Sequence, residues 1–328
     1  MNLLAETWED PRVLVPDTCV RRVSRARDAD EHALNLSQWD QRYDQLSAGA
    51  FEGEVMELWL PKTQIFVERA NRQLRQTCAA WHESVWFGIP AAEDGMMWMG
   101  SKPLAADAVC VRDGGVEFDL MTAPNFDLYG IVVDRPAFAE YLEETTRLDL
   151  DRVLLQRDVI SLVPARKHRL CATLSNILTD AELAGDDPAT LQARVFDVLV
   201  DVLQQGRASP PAARRCISSR QQIVSRIREQ VLARPDEAPS IPDLCRDLHV
   251  SRRTLQNSVE EVTGMSPLAF IRSIRLNEVR RALKQGDASM SISAVAYTWG
   301  FTHLSQFAKD YRQLFGELPS ESRLPFAG

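Results

Sequence analysis

Two stretches in the last third of the chain share one pattern of apolar and polar positions. In residues 241–267 the apolar positions have the spacing of a short helix, a turn and a second helix: Ile241, Leu244, Leu248, Val250, Leu255 and Val259. Ser251 stands just before the second helix, where a side-chain cap is expected. Residues 291–319 repeat this plan with Gly300 at the turn, so the pattern predicts two helix-turn-helix motifs in tandem.

A further helical pattern lies between the two motifs. Residues 267–286 carry an apolar stripe at helical spacing: Phe270, Ile274, Leu276, Val279 and Leu283. Its length is that of a connecting helix, which predicts that both motifs belong to one all-α domain.

The polar positions of both motifs hold residue types that read DNA. They are Arg252, Arg253, Gln256 and Asn257 in the first motif, and Thr302, His303, Ser305, Gln306, Lys309 and Arg312 in the second. Arg bonds guanine edges or phosphates, and Gln and Asn can form two hydrogen bonds with adenine. A recognition helix presents such side chains near its N-terminus. An ordinary amphipathic helix pair explains either motif alone equally well, but two motifs in tandem favour DNA binding.

Short runs with strand composition fill residues of about 50 to 134, separated by turn residues such as Pro90, Gly114 and Gly115. Many short strands at regular spacing indicate a β-sandwich or a small barrel. A helix-like stretch at 33–46 precedes them, and helical patterns follow in residues 135–148, 164–183 and 188–205. The chain is therefore expected to have an α+β fold.

Residues 188–205 carry a broad apolar stripe: Leu191, Val195, Phe196, Leu199, Val200 and Leu203. Packing against its own β region and a dimer interface are two interpretations that stay open. Residues 206–219 are rich in Pro, Ser, Ala and Arg, which predicts a linker. The expected boundaries are 1–205 for the first domain, 206–219 for the linker and 220–328 for the helical domain.

Charge is distributed unevenly along the chain. The whole sequence has 38 Lys and Arg against 46 Asp and Glu, which by itself argues against a nucleic-acid binder. Residues 217–328, however, hold 15 basic and 12 acidic side chains, and residues 1–216 hold 23 and 34. The basic excess coincides with the two motifs. An acidic first domain would reduce nonspecific attraction to DNA, although solubility explains it equally well.

The second motif follows the pattern Ala296-x3-Gly300-Phe301-x3-Ser305-x-Phe307-x3-Tyr311-Arg312-x3-Gly316-x2-Pro319-x3-Arg323. With this signature the last 110 or so residues resemble the DNA-binding domain of the AraC/XylS-type transcription regulators. Three buried positions depart from the family, which usually has Phe at Tyr311 and Val259 and Ala at Cys245.

The resemblance implies roles for the outward residues. By position, the base contacts fall on Arg253, Gln256, Asn257, Ser305, Gln306 and Lys309. Arg252, His303 and Arg312 are expected to contact phosphate or sugar, which positions the protein without specifying sequence.

Members of this family commonly place a cupin-like effector-binding barrel and dimerisation helices before the DNA reader. Residues 32–58 and 74–90 are similar to the regulators of ethanolamine utilisation operons within the family. This similarity implies a homodimeric activator that binds an operator in double-stranded DNA, works with RNA polymerase and responds to ethanolamine and adenosylcobalamin. A regulator of the same type that responds to another small amine or metabolite is the alternative.

Four residues are candidates for the effector site. Glu57 and Trp59 share one face of a predicted strand, and Trp86 and Trp98 lie on other predicted strands. A carboxylate and aromatic faces are what an ammonium group prefers. Core packing of the aromatic rings and a solvated position for Glu57 are the alternatives.

Other classes of protein find little support. Of the five histidines only His82 lies in the predicted strand region, and the six cysteines are scattered without a CxxC pair, so neither a cupin-type enzyme nor a metal site is expected. No covalently bound cofactor is expected either. No apolar run approaches the roughly 20 residues of a membrane helix, and the N-terminus lacks the order of a secretory signal, so the protein is expected in the cytoplasm.

Overall fold

A computed structural model describes residues 19–91, 97–100, 102–155, 157–180, 187–208, 214–285 and 290–323. The N-terminal lead up to residue 18, residues 181–183 of the predicted second helix and residue 286 of the connecting helix lie outside this range. The described residues form a strand-rich domain up to residue 208, followed by a helical domain. The structure therefore confirms the expected α+β class and the helical C-terminal domain.

Two antiparallel sheets make up the first domain. The larger sheet has the strand order β1-β3-β4-β11-β6-β9-β12-β13. Its strands are β1 (Val20–Ala26), β3 (Gly53–Leu60), β4 (Thr63–Ala70), β6 (Ser84–Pro90), β9 (Ala108–Asp113), β11 (Phe126–Asp134), β12 (Val159–Ser161) and β13 (Arg207–Ala208). The smaller sheet has the order β2-β5-β10-β7-β8. Its strands are β2 (Asp40–Gln45), β5 (Leu74–Ala79), β7 (Met97–Met99), β8 (Lys102–Leu104) and β10 (Phe118–Met121).

Alternation along the strands of the larger sheet creates two separate cores. In β4, Ile65 and Val67 face the helices of the domain, whereas Phe66 and Ala70 face the smaller sheet. The helices of this domain are α1 (Ala29–Leu34), α2 (Arg135–Thr146), α3 (Leu150–Leu154), α4 (Pro164–Asp180) and α5 (Pro188–Gln205). One core thus lies between sheet and helices, and the other lies between the two sheets.

The apolar stripe of α5 packs against its own domain. Leu191, Val195 and Leu199 are almost fully buried in the core that the larger sheet forms with α2 and α4. The sequence left open whether this stripe packs against its own domain or forms a dimer interface. In the structure this face of the helix packs against its own domain.

The structure differs from the predicted boundaries in two places. The strands begin at Val20 rather than near residue 50, and the helix-like stretch 33–46 contains only the end of α1 before it continues as β2. Tyr43 of β2 is buried between the sheets, so pairing with β5 outweighs the helical spacing. The predicted linker 206–219 includes β13 and the start of a helix at Arg214, because apolar positions at helical spacing continue from Ile223 to Val231.

The helical domain contains seven helices in its described residues. They are α6 (Arg214–Ala233), α7 (Ile241–Asp247), α8 (Arg252–Thr263), α9 (Pro267–Gln285), α10 (Ile292–Thr298), α11 (Leu304–Phe315) and α12 (Pro319–Ser322). Phe270 and Ile274 of α9 belong to the core around α7 and α8, and Val279 and Leu283 belong to the core around α10 and α11. A single helix therefore joins the two helix-turn-helix motifs.

Candidate nucleic-acid interface and effector site

The turn of the first motif is fixed by a strained residue and a cap. His249 follows the end of α7 with a φ of 54°. The hydroxyl of Ser251 then accepts a hydrogen bond from the backbone N–H of Thr254 at 3.1 Å, which starts α8. Leu255 is fully buried, and the other side chains from Arg252 to Asn257 are exposed. Among these exposed side chains are the four that the sequence predicted: Arg252, Arg253, Gln256 and Asn257.

The second motif uses glycine at the same place. Gly300 has a φ of 68°, and a Cβ built there would lie 2.0 Å from Arg275 Nη2 and 2.5 Å from the carbonyl oxygen of Asp236. Helix α11 begins one residue later than α8 does after its turn, and its N-cap His303 makes no side-chain cap bond. All the predicted contact residues of this motif are exposed: His303, Ser305, Gln306, Lys309 and Arg312.

Two of the predicted base-reading amides bond within their own helices. Gln256 Nε2 donates to Glu260 Oε1 at 3.1 Å, and Gln306 Nε2 donates to Asp310 Oδ1 at 2.8 Å. The Gln256 bond is exposed, and the Gln306 bond joins an exposed amide to a buried carboxylate. In both cases water or DNA can take the place of the partner of the exposed amide at small cost in free energy. The amides are therefore oriented along the exposed face but not locked there.

Glu57 and Trp59 are satisfied by protein partners. Glu57 is 2 % exposed, and its Oε1 accepts from the backbone N–H of Ser37 at 3.2 Å and from Trp59 Nε1 at 3.0 Å. Its Oε2 lies 3.1 Å from Arg22 Nη2, and Gln64 Nε2 also donates to this carboxylate. The two residues do share one face, as predicted, but their polar atoms are engaged.

Trp86 and Trp98 lie in different places. Trp86 is between the sheets, stacked on Phe118 with ring centroids 4.7 Å apart, and its Nε1 has no hydrogen-bond partner in the described part of the chain. Trp98 instead packs in the core of the helical domain with Ile223 and Val224. The reason is alternation in β7, because Met97 and Met99 face the other sheet and turn the Trp98 ring outward. The structure therefore does not bring Trp98 together with the other three candidates.

A buried polar cluster between the sheets was missed by the sequence analysis. His32 is fully buried, and its Nε2 lies 3.1 Å from Glu68 Oε1. Gln76 Nε2 donates to both oxygens of Glu68, at 3.1 and 3.2 Å. Burial and the Glu68 carboxylate raise the pKa of the Tyr43 hydroxyl well above its ordinary value. The sequence could have indicated Glu68, because it shares a strand face with the buried Phe66. His32 was missed because it lies before the region that was predicted to form strands.

This polar cluster lies next to a cleft in the surface of the first domain. The cleft, about 770 Å³, is lined by Ala70 and Phe126 together with charged side chains such as Arg69 and Glu31. The ring of His32 packs so closely against Gly53 in the cleft that a Cβ there would lie 2.6 Å from His32 Nδ1. His32 Nδ1 and Gln76 Oε1 have no hydrogen-bond partners among the described residues. Unsatisfied buried polar atoms of this kind are candidates for ligand contacts.

The described residues offer neither a metal site nor a membrane span. Within them, no three or more His, Cys, Asp or Glu side chains are grouped so as to hold a metal ion. None of their helices combines the length and apolar character that a membrane span requires.

Comparison with known proteins finds a family match over most of the helical domain. Residues 244–324 match the family described as "Helix-turn-helix domain". The chain is 40% identical over 74 residues to the XylDLEGF operon transcriptional activator of Pseudomonas putida, which is 22% of this chain and 23% of that protein. It is 35% identical over 83 residues to the probable thc operon regulatory protein of Rhodococcus erythropolis, 25% of each chain.

The matched segments therefore span about a quarter of these relatives' own length. Among solved structures, the AraC-like transcriptional activator CuxR matches 78% of this chain and 94% of its own, with a TM-score of 0.41 and 14% identity.

Proposed function

We propose that the chain is a sequence-specific transcription regulator of the AraC/XylS type. The match of residues 244–324 to a helix-turn-helix family and the 40% identity over 74 residues to an operon transcriptional activator support this proposal. The observation that carries the proposal is the pair of exposed polar faces on α8 and α11, held by one continuous helix. A single exposed polar face is common on a packed helix, so the repetition of such a face in two like motifs is what favours DNA binding.

The dimensions of α9 suit this role. With 19 residues it is about 28 Å long, of the order of the 34 Å that separate successive major-groove segments on one side of B-DNA. Both motifs can thus bind one face of a duplex. In this arrangement the bases are contacted by Arg253, Gln256, Asn257, Ser305, Gln306 and Lys309. The DNA backbone is contacted by Arg252, His303 and Arg312.

The first domain is the proposed effector sensor, a cupin-like domain whose site is the space between the sheets and the adjoining cleft. Ethanolamine is the proposed effector, with adenosylcobalamin as a second one, because residues 32–58 and 74–90 resemble regulators of ethanolamine utilisation operons. The buried carboxylate of Glu68, beside unsatisfied polar atoms of His32 and Gln76, suits a small protonated amine. Another small amine or metabolite in the same place is the second candidate.

The names of the relatives and an exposed helical face support a proposed mode of action. Several relatives are called transcriptional activators, so we propose activation through RNA polymerase. The outer faces of α4 and α5, which Arg166 and Asp201 join by an ion pair at 3.0 Å, are the proposed dimerisation surface. The effector acts by favouring one arrangement of the DNA-binding domains, for which it needs a higher affinity.

Selection of duplexes from a random library tests the DNA-binding proposal directly. The full chain is expected to enrich one sequence class with two recognition elements about one helical turn apart. Enrichment of no sequence would overturn the proposal. A thermal shift assay with ethanolamine, adenosylcobalamin and other amines tests the effector. Stabilisation by another amine and not by ethanolamine would replace the proposed effector and leave the regulator assignment intact.

A further inference from the structure

The boundary between the two domains holds a group of buried opposite charges, which we call the interdomain clasp. It consists of Asp28, Asp30 and Asp44 on the first domain and Arg228, Arg280, Arg281 and Lys284 on the helical domain. Asp28 and Asp44 are each 2 % exposed. Charged side chains are rarely buried this far unless they are paired.

The distances within the clasp are those of direct ion pairs. Arg281 Nη2 lies 2.6 Å from Asp44 Oδ1, and Arg228 Nε lies 3.2 Å from the other oxygen of Asp44. Lys284 Nζ lies 3.2 Å from Asp28 Oδ2, which Arg280 also contacts. Burial raises the pKa of the Asp44 carboxyl, but Arg281 and Arg228 outweigh it and hold that pKa far below its ordinary value. The Asp44 carboxylate is therefore charged at neutral pH.

A second set of contacts extends the clasp along β2. The backbone N–H of Gln45 donates to Asn277 Oδ1 at 2.9 Å, and Asn277 Nδ2 donates back to the carbonyl of Gln45 at 3.0 Å. The backbone N–H of Gly49 donates to the carbonyl of Leu314 at 2.9 Å. The side chain of Asn277 thus pairs with β2 in the way that a neighbouring strand would.

The clasp leaves the DNA-reading faces free. Its partners on the helical domain lie on α6 and α9 and at the end of α11, whereas Arg253 and Gln306 remain exposed near the starts of their helices. The first domain therefore fixes the orientation of the reader without covering it.

The elements that carry the clasp also border the proposed effector site. Helix α1 places His32 against Glu68 between the sheets, while its N-cap Asp28 and its first turn hold Arg280 and Arg281. In β2, Tyr43 faces the space between the sheets and the next residue, Asp44, faces the helical domain. A ligand that displaces α1 or β2 by a small amount must disturb the clasp, because packed elements move as units.

We propose that the interdomain clasp is the switch of this protein: it holds the DNA reader in a resting orientation, and effector binding beside α1 and β2 releases it. The effector half of this statement rests on the proposed function, and the clasp itself rests on its geometry. Release occurs as one step, since removing one partner leaves the others buried and unpaired.

The test removes the acidic side of the clasp in the full-length protein, with Asp28→Asn and Asp44→Asn combined. Asn is as good a helix N-cap as Asp, so α1 keeps its cap. Asp151→Asn is the matched control, because it removes a carboxylate from an exposed ion pair with Arg135 that belongs neither to the clasp nor to the proposed dimerisation surface. Lys284→Gln, which removes a partly exposed member of the clasp, is a milder second variant in case the double variant does not fold.

Two measurements decide the proposal. Hydrogen exchange of the Gln45 and Gly49 amides is expected to be about tenfold faster in the double variant and unchanged in Asp151→Asn, which reports release. Affinity for a duplex selected from a random library, with no small molecule added, is expected to rise about tenfold, which is typical of coupling between sites.

Unchanged exchange would show that the clasp does not hold the domains. Faster exchange with unchanged or weaker DNA binding would show that the clasp is structural only and would overturn the switch. The DNA-binding proposal is judged separately, because it fails only if the wild-type protein selects no duplex.

Discussion

His249 and Gly300 occupy the same position in the turns of the two motifs, and both have a positive φ, 54° and 68°. Each follows the C-cap of the first helix of its motif, and each precedes a buried or half-buried apolar residue, Val250 or Phe301. The two turns therefore share one backbone geometry although only one of them uses glycine. Left-handed backbone favours glycine, which makes the two positions a matched pair for experiment.

Gly300→Ala is expected to destabilise the helical domain by about 2–3 kcal/mol. The added Cβ would meet Arg275 Nη2 and the backbone oxygen of Asp236, and the positive φ adds strain. Urea unfolding followed by circular dichroism measures the loss. His249→Gly is the control, with an expected change within about 1 kcal/mol in either direction, because relief of strain offsets the greater freedom of the unfolded chain. Equal effects of the two changes would contradict this account of the turns.

The sequence predicted those parts of the molecule that depend on local spacing. The two motifs and the connecting helix were predicted because their apolar residues recur every three or four positions and because Ser251 and Gly300 mark the turns. The outward faces followed from the same periodicity, and the structure leaves those residues exposed.

Contacts between distant segments could not be predicted in this way. His32 meets Glu68 only through the pairing of β3 with β4 and the placement of α1, and Asp44 meets Arg281 only through docking of the two domains. Trp98 was predicted to belong to the effector site because the sequence indicated its strand but not the side of the sheet to which its ring points. A shift of one residue in a strand exchanges the two faces, so strand composition alone does not decide what a side chain contacts.

Arg253→Ala is expected to weaken binding to a selected duplex by about 1–3 kcal/mol and to relax the preference at one base pair. Arg252→Ala, the neighbouring control, is expected to weaken binding to all duplexes alike and to reduce the dependence on salt concentration. Fluorescence anisotropy with the selected duplex and its single-base variants separates the two effects. If Arg253→Ala bound all sequences with the wild-type preference, its assignment as a base contact would be wrong.

Gln306→Ala tests the second motif in the same assay. Its amide is exposed and bonds only to Asp310 among the described residues, so the folded domain should tolerate the change with little loss of stability. Binding to the selected duplex is expected to weaken by about 1–3 kcal/mol, with the loss confined to one or two base pairs. Gln313→Ala, an exposed glutamine on the same helix beyond the predicted contacts, is expected to change binding by less than about 0.5 kcal/mol. Equal losses in both variants would argue against a specific role for Gln306.

Glu68→Gln tests the proposed amine site between the sheets. The substitution keeps the shape of the side chain and removes its charge, so a protonated amine loses its counter-ion. Ethanolamine is expected to raise the melting temperature of the wild-type protein and to have no effect on this variant. Glu117→Gln, at an exposed position of the same domain, is the control and should respond like the wild-type protein. A full response of Glu68→Gln would place the amine elsewhere.

The pKa values of Asp28 and Asp30, two carboxyls of the interdomain clasp, are shifted in opposite directions. Burial raises the pKa of Asp30 to about 6, because it outweighs the attraction of Arg281. For Asp28, burial acts in the same direction, but Arg280 and Lys284 outweigh it and lower the pKa below its ordinary value of 3.8. Asp28 therefore contributes stability that is present above pH 3.8 and is lost as the pH falls below that value. Asp30 has the opposite sign, since its folded form keeps a proton that the unfolded form releases above pH 3.8.

Asp30→Asn should remove this opposing dependence. In the wild-type protein, ionisation of Asp30 lowers the free energy of unfolding as the pH rises from 3.8 to about 6. The free energy of unfolding of the variant relative to wild type is therefore expected to increase over that interval, by about 2 kcal/mol. Urea unfolding of both proteins at a series of pH values between these limits measures it, and Asp28, present in both, cancels from the difference. A difference that stays constant or falls with rising pH would show that Arg281 stabilises the ionised Asp30 more than burial destabilises it.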